Sequence, residues 1–414
     1  MVKEQIIIIG GGAAGYFCAI NIAMLNPNLA ITILEKTSKT LGKVKISGGG
    51  RCNVTHSCFD IDTLAKNYPR GAHFLKKCFY TFNTQHTVEW FAKQGVKLHT
   101  EADGRMFPTT NSSQTIIDTL SNLVHQYNIA IITSCTVNKI TLHNDAYTLT
   151  TNTNHTYTAN KLCIATGGYP KIEQYQWLQQ LQTNQLLIEQ PVPSLFTFNL
   201  SNSKELLALM GVSAPNCIVK INGTKLSQQG IVLITHWGLS GPAILKLSAF
   251  AAQHIHSTNY NYSISINWVG TYTETALSLH WNSLTSHTNQ TVGNHNPLQL
   301  PTRLWHYLLQ QATITLTSKW QNISKETQNK LIKLLTNQQL AVQGKTTYKE
   351  EFVTCGGIQL HQINHTTLQH KQLPNLYFAG EILNIDGITG GFNFQNAWTT
   401  GYIAAKAMAE LAII

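Results

Sequence analysis

Charge is scarce in this sequence. Of 414 residues only 12% are Asp, Glu, Lys or Arg, against 43% hydrophobic residues. That ratio excludes a disordered, highly charged chain and leaves a packed globular protein whose surface is rich in Asn, Gln, Thr and Ser. Long apolar runs are missing too. None approaches the roughly 18 residues needed to span a bilayer. Only five residues precede the first strand-like run, too few for a signal peptide. The eight cysteines (18, 52, 58, 78, 135, 163, 217 and 355) form no Cys-x-x-Cys and no paired spacing. Neither structural zinc, nor any other metal, nor a disulfide framework is expected, and a reducing cytoplasm fits. Acidic residues are thinnest in the middle. Residues 190–345 hold no Asp and three Glu against nine Lys and one Arg, so +7 of the formal +10 falls there. Solubility is one reading of that excess, and a polyanion such as RNA approaching the region is the other. The length suits two or three domains, at roughly 100 to 200 residues each.

Glycine is plentiful where it carries chemistry. Ile6 to Ile9 is a β-branched run that suits a buried parallel strand, and it leads into Gly10-Gly11-Gly12-Ala13-Ala14-Gly15. In this G-x-G-x-x-G, Gly10 permits the tight turn and Gly12 lets the backbone approach a pyrophosphate. Gly15 lets the following helix pack on the sheet with its first amides facing the anion. Tyr16 to Leu25 reads as that helix and Ala30 to Leu34 as the second strand. Glu35 follows, where a carboxylate takes the hydroxyls of an adenosine ribose. The pattern predicts a dinucleotide site and does not itself separate FAD from NAD.

Next comes Leu41 to Thr55, in which Gly42, Lys43, Ser47, Gly48, Gly49, Gly50, Arg51, Cys52 and Asn53 are read as a loop exposing backbone N–H groups to a pyrophosphate or an electron-rich ring edge. Residues 60–130 read as packing helices, with an amphipathic helix over Ser112 to Tyr127 and a strand at Ile129 to Ile132. A β-meander through 136–157 follows. Leu162 to Ala165 is an apolar strand ending in Thr166-Gly167-Gly168, which resembles the Ala-Thr-Gly strand end of flavoproteins and turns the expectation from NAD towards FAD. No second G-x-G-x-x-G follows a strand, so a nicotinamide would dock only transiently.

From Pro191 short alternating runs (Leu195 to Leu200, Cys217 to Ile221, Gly230 to Ile234, Tyr262 to Trp268) predict a compact β-domain, and 297–343 reads as helices, the whole being an insertion. Its Thr235-His236-Trp237-Gly238-Leu239-Ser240-Gly241-Pro242 is a dense turn opening a helix. Tyr260, Tyr262, Trp237, Trp268, Trp281 and Trp305 lie among its cations, either as core or as stacking platforms for RNA bases. The chain then returns to the first domain. Leu376 to Ala379 is a strand ending in Gly380-Glu381, followed by Asp386-Gly387-Ile388-Thr389-Gly390-Gly391-Phe392-Asn393-Phe394-Gln395 and a helix through Ala397 to Leu411. Amides at that helix start suit the redox end of the same cofactor. Domain boundaries fall at 1–190, 191–345 and 346–414.

IIIIGGGAAG, LGKVKISGGGRCNVTH, THWGLSGPA and LYFAGEILNIDGITGGFNFQNAWTTGYIA together resemble the BaiN/YhiN-type flavoprotein family, also described as aminoacetone-oxidase-like FAD-binding proteins. The resemblance implies an α/β Rossmann-like FAD domain of the two-dinucleotide-binding type, interrupted by a β-barrel-like and helical insertion. FAD would be held by Gly10, Gly12, Ala13, Ala14, Gly15, Glu35, Lys36, the Gly42 to Asn53 loop, a backbone contact near Val137, and Thr166, Gly167 and Gly168. Gly380, Glu381, Asp386, Gly391, Phe392, Asn393 and Gln395 would hold its other end. It further implies hydride transfer from flavin N5 to the carbon β to a carbonyl, in uridine of large-subunit rRNA or in a steroid-like enone, with NAD(P)H as transient reductant. Cys52 and His236 are the candidate acids, each having a transferable proton. A flavin-containing RNA-binding protein without turnover is the non-enzymatic alternative.

Overall fold

Four consecutive isoleucines form the spine of the larger unit. The strand Gln5–Ile9 lies in the middle of a five-stranded parallel sheet ordered Leu376–Phe378, Lys161–Ile164, Gln5–Ile9, Ala30–Leu34, Ala130–Ile132. It is covered on both faces, which is why its sequence is a continuous β-branched run and does not alternate. The chain order changes direction at this strand, and ligands of open α/β sheets bind outside the carboxyl ends at such a point. The computed structural model describes residues 4–183, 186–285, 290–346 and 353–410. Within it the chain forms two units, Met1–Val192 with Val353–Ile414, and Pro193–Phe352.

In the larger unit the helix Ala13–Leu25 packs along the helix Phe392–Ala409. Gly401 makes this close: a β-carbon there would sit 2.9 Å from Ala14 O. Phe17 is surrounded by Trp90 at 4.5 Å and Trp398 at 5.1 Å between ring centroids, tying the helix Thr84–Lys93 into the same core. The meander is a three-stranded sheet, Val137–His143, Ala146–Thr151 and Thr156–Ala159.

The second unit is a closed antiparallel barrel of six strands. Around it run Thr197–Leu200, Gly238–Ser240, Ser227–Ile234, Ser213–Ile221, Asn261–Asn267 and Gln338–Thr346, the last pairing back with the first. Two of these strands are absent from the sequence reading. Gly238–Ser240 lies inside the stretch read as a turn, and Gln338–Thr346 follows the helix Lys325–Asn337 without a break, where helical periodicity masks its alternation of buried Gln338, Leu340 and Val342. Burial makes three of the insert's six aromatics, Trp268, Trp281 and Trp305, core residues, while Trp237, Tyr260 and Tyr262 are half-buried. Trp268 Nε1 donates to Gln338 Oε1 at 2.7 Å and Trp305 Nε1 to Val292 O at 2.9 Å. Leu411, which the sequence reading assigns to the last helix, and Phe352, near which the chain returns to the first domain, lie outside the described residues.

All eight cysteines are free thiols. Burial pushes the thiols of Cys52, Cys78, Cys217 and Cys355 up to about 12. The unfolded chain ionises them near 9, so the stability linked to their protonated state is fully present below pH 9 and is lost as pH rises towards 12. Buried tyrosines such as Tyr377 act in the same direction. The urea midpoint of unfolding is expected to fall steadily across that window, and a flat profile would contradict this account.

Candidate functional site

The first glycine turn is shaped by close backbone approach. Gly10 has φ +116°, its N–H donates to Leu34 O at 2.8 Å, and a β-carbon on it would lie 2.4 Å from Ala165 O. Only glycine fits between the two strand ends. Gly15 is equally tight, its absent β-carbon falling 2.0 Å from Gly10 O. Gly12 differs: a β-carbon there would meet nothing within 4 Å, and as N-cap of the helix Ala13–Leu25 it provides no side-chain cap. The first-turn amides of Ala13, Ala14 and Gly15 therefore meet no side-chain acceptor at the positive end of the helix, as a diphosphate requires. Glu35 is clamped beside them. Its Oε2 accepts from Gly11 N at 2.7 Å, and its Oε1 accepts from Thr37 N at 2.8 Å and Thr37 Oγ1 at 2.7 Å. Thr37 is absent from the sequence reading, although its position two residues after the acid is a local signal. Lys36 turns its ammonium over the Tyr169 ring at 5.2 Å. Cys135 N donates to Glu35 O at 2.9 Å, two residues before buried Val137, which heads its strand.

The Gly42 to Asn53 stretch contains one helical turn that breaks at Ser47, where Gly48 and Gly49 adopt left-handed conformations. Gly42, Gly49 and Gly50 are exposed, and a β-carbon on any of them would meet nothing within 4 Å. Two of the loop's three cations are positioned by carboxylates: Lys43 Nζ lies 2.7 Å from Glu381 Oε2 and Arg51 Nη1 lies 2.6 Å from Glu101 Oε1. Arg51 also covers the Phe107 ring at 4.0 Å.

These contacts join the loop to the C-terminal turn. Gly391 is the left-handed N-cap of the helix Phe392–Ala409, again without a side-chain cap, and a β-carbon on it would sit 2.6 Å from Thr55 C and O. The hydrogen-bond network orients Asn53 with its amide oxygen on Gly391 N at 3.0 Å and its nitrogen on Thr55 O at 2.9 Å. Trp398 Nε1 donates to Val54 O at 2.9 Å. Glu381 accepts from Thr354 N at 2.9 Å and lies against Gly168, and a β-carbon on Gly380 would meet Ala14 Cβ at 2.8 Å. Gly11 O accepts from Leu41 N at 2.8 Å. A single run of contacts therefore links the turn at Gly10–Gly15, the loop, the Thr166–Gly168 strand end and the turn at Gly391. The residues fit FAD: two helix starts without side-chain caps, the first at an open Gly12 and the second at a Gly391 packed on Thr55, and an acid held beside the first.

Several expected roles change. The Cys52 side chain is fully buried, and burial pushes its thiol up to about 12, which argues against its role as the acid. Its left-handed backbone, φ 60°, turns it inward. His236 is exposed in the other unit, between the strands Ser227–Ile234 and Gly238–Ser240, edge-on to Trp237 at 4.0 Å. The Asp386 carboxylate is fully buried against the Arg70 guanidinium, so its side chain does not contact a cofactor. Gln395 is likewise internal, its Oε1 accepting from Thr55 Oγ1 at 2.6 Å and Thr87 Oγ1 at 3.0 Å. Phe392 is buried under His56, stacked at 4.7 Å, and Asn393 pins Gly387 through both amide groups, at 2.8 and 2.9 Å. These three residues shape the turn from beneath.

Comparison with known proteins gives matching results. The family described as HI0933-like protein Rossmann domain matches residues 4–407. The ribosomal RNA dihydrouridine synthase of Escherichia coli is 30% identical over 418 residues, covering 98% of both chains. The 3-dehydro-bile acid delta(4,6)-reductase of Clostridium scindens is 22% identical, covering 98% of this chain and 99% of its own. Among solved structures, the 3-ketosteroid delta1-dehydrogenase of Sterolibacterium denitrificans aligns with a TM-score of 0.52 at 11% identity, covering 98% of this chain and all of that one, which establishes likeness of fold.

Proposed function

The chain belongs to the HI0933-like family of FAD-dependent oxidoreductases, and from that premise we propose that it reduces a conjugated C=C bond, converting uridine to dihydrouridine in large-subunit ribosomal RNA. The observation that carries the chemistry is the run of contacts connecting both uncapped glycine turns, which suits one extended cofactor. The choice of substrate rests on near full-length similarity to a ribosomal RNA dihydrouridine synthase. FAD, when bound, supplies the hydride for the carbon β to the substrate carbonyl. Glu35, held by Gly11 and Thr37, would take the adenosine ribose, and the first amides of the helix Ala13–Leu25 the diphosphate. The start of the helix Phe392–Ala409 would face the redox ring, where its dipole favours added negative charge. NAD(P)H would act as a transient reductant, because the sequence carries a single glycine fingerprint of this type.

Mass mapping of ribosomal RNA from a strain lacking the gene is expected to show one dihydrouridine reverting to uridine. Unchanged dihydrouridine would remove the RNA assignment. The second reading, reduction of a small enone, is supported by similarity to the bile acid reductase. It predicts NAD(P)H oxidation on free enones with no requirement for RNA.

A further inference from the structure

A second cleft, of about 430 Å³, opens on the larger unit outside the glycine turns. The helix Ala72–Phe79 contributes His73, Phe74 and Lys77, with His73 and Lys77 four residues apart and so on one face. The opposite wall contributes His361, His365 and Lys371. Two lysines and three histidines thus line the cleft, and among the described residues no carboxylate does. The wall is held in place: Lys371 Nζ donates to His361 O at 2.6 Å, Cys78 Sγ donates to His365 O at 3.5 Å, and the Phe74 ring stands edge-on to His365 at 6.5 Å. Lys77 and Lys371 both bear on His365, adding to burial in holding its imidazole below the usual range. Like charges gathered in a concave surface favour an anion.

The cleft also adjoins the proposed redox end. Gly71, which lines it, packs against Ile385 so closely that a β-carbon would meet Ile385 Cγ1 at 2.6 Å, and Arg70 pairs in an antiparallel bridge with Asp386, at the start of the turn leading to Gly391. A small neutral enone has no group for such a cluster, whereas a polynucleotide presents a phosphodiester at every step.

We propose that this cleft is a phosphate subsite for an RNA strand. A phosphodiester lies between Lys77 and Lys371, imidazole N–H groups add hydrogen bonds, and Phe74 offers a face to a neighbouring base or ribose. The subsite rests on the ribosomal RNA reading above, and it places the backbone contact on the larger unit, whereas the charge count in the sequence points to the insert.

The test uses the full-length, flavin-loaded enzyme, a fluorescent single-stranded RNA oligonucleotide and anisotropy titrations over a range of salt. For K77Q/K371Q, loss of the cations on that one phosphate is expected to shrink the log–log salt slope by about 0.7 and to weaken binding roughly 5-fold at about 0.1 M salt. Flavin absorbance and flavin reduction by NAD(P)H should be unchanged. Should the double variant lose flavin or fail to fold, K77E alone, at an exposed position, gives the same readout. Unchanged RNA affinity and slope in a folded variant would overturn the subsite while leaving the ribosomal RNA reading intact. A raised KM for NADPH with unchanged RNA binding would overturn it in favour of a dinucleotide phosphate. Wild-type enzyme that binds no RNA would overturn both.

Discussion

Gly10→Val is expected to yield a purified protein without flavin. The new β-carbon would fall 2.4 Å from Ala165 O, 2.7 Å from Ala165 C and 2.9 Å from Thr166 Cα, all backbone atoms at a buried strand end, at a residue whose φ of +116° a β-branched side chain does not adopt. Relief requires moving the strand Lys161–Ile164 or opening the turn, and either displaces the amides at Ala13 and Ala14. Strain of this kind is worth about 1–3 kcal/mol before the steric clash is counted. A shortfall of about 3 kcal/mol in cofactor binding is roughly 150-fold in Kd. Gly12→Ala is the control, since its β-carbon meets no atom within 4 Å and its φ of −93° is ordinary. It should melt like wild type yet bind FAD less tightly. A yellow, wild-type-like Gly10→Val protein would show that this turn does not hold the cofactor.

The second large effect is expected at Arg70. Its Nε donates to Asp386 Oδ1 at 2.5 Å and its Nη2 to Asp386 Oδ2, a two-point pairing around a carboxylate with no solvent access. Arg70→Met strips the guanidinium from a buried carboxylate, which costs about 3–5 kcal/mol. In a unit of this size each kcal/mol moves Tm by about 2–4 °C, so a fall of roughly 6–20 °C is expected by calorimetry. Removing both charges, in R70M/D386L, should restore much of that loss because the desolvated pair disappears together. Single and double variants that melt alike would show that the pair contributes little.

What the sequence revealed tracks how local each interaction is. The Gly10–Gly15 turn, Glu35 and the Thr166–Gly168 strand end are legible because strand, turn and helix are set by neighbouring residues. The parallel sheet follows from runs such as Ile6 to Ile9. Arg70 is hidden because its partner lies 316 positions away and neither residue sits in a periodic pattern that announces the other. Cys52 misleads for a different reason: it lies in a dense glycine-rich motif, but a left-handed backbone sends the thiol into the core. The insert's tryptophans stay ambiguous in the sequence, since cations near an aromatic do not reveal whether the ring faces inward or outward. The barrel's closing strand, Gln338–Thr346, is obscured because it begins where a helix ends, with no glycine or proline between them.

The edge strand Leu376–Phe378 and the helix that lies along Ala13–Leu25 are both encoded after the barrel. During synthesis the amino-terminal strands must therefore wait, with one side of the sheet and one flank of the first helix exposed, while more than a hundred intervening residues leave the ribosome. The barrel can close during that interval from its own strands. The nucleotide cradle cannot be completed until the strand Leu376–Phe378 and the helix Phe392–Ala409 have emerged, so cofactor loading must follow the barrel's synthesis.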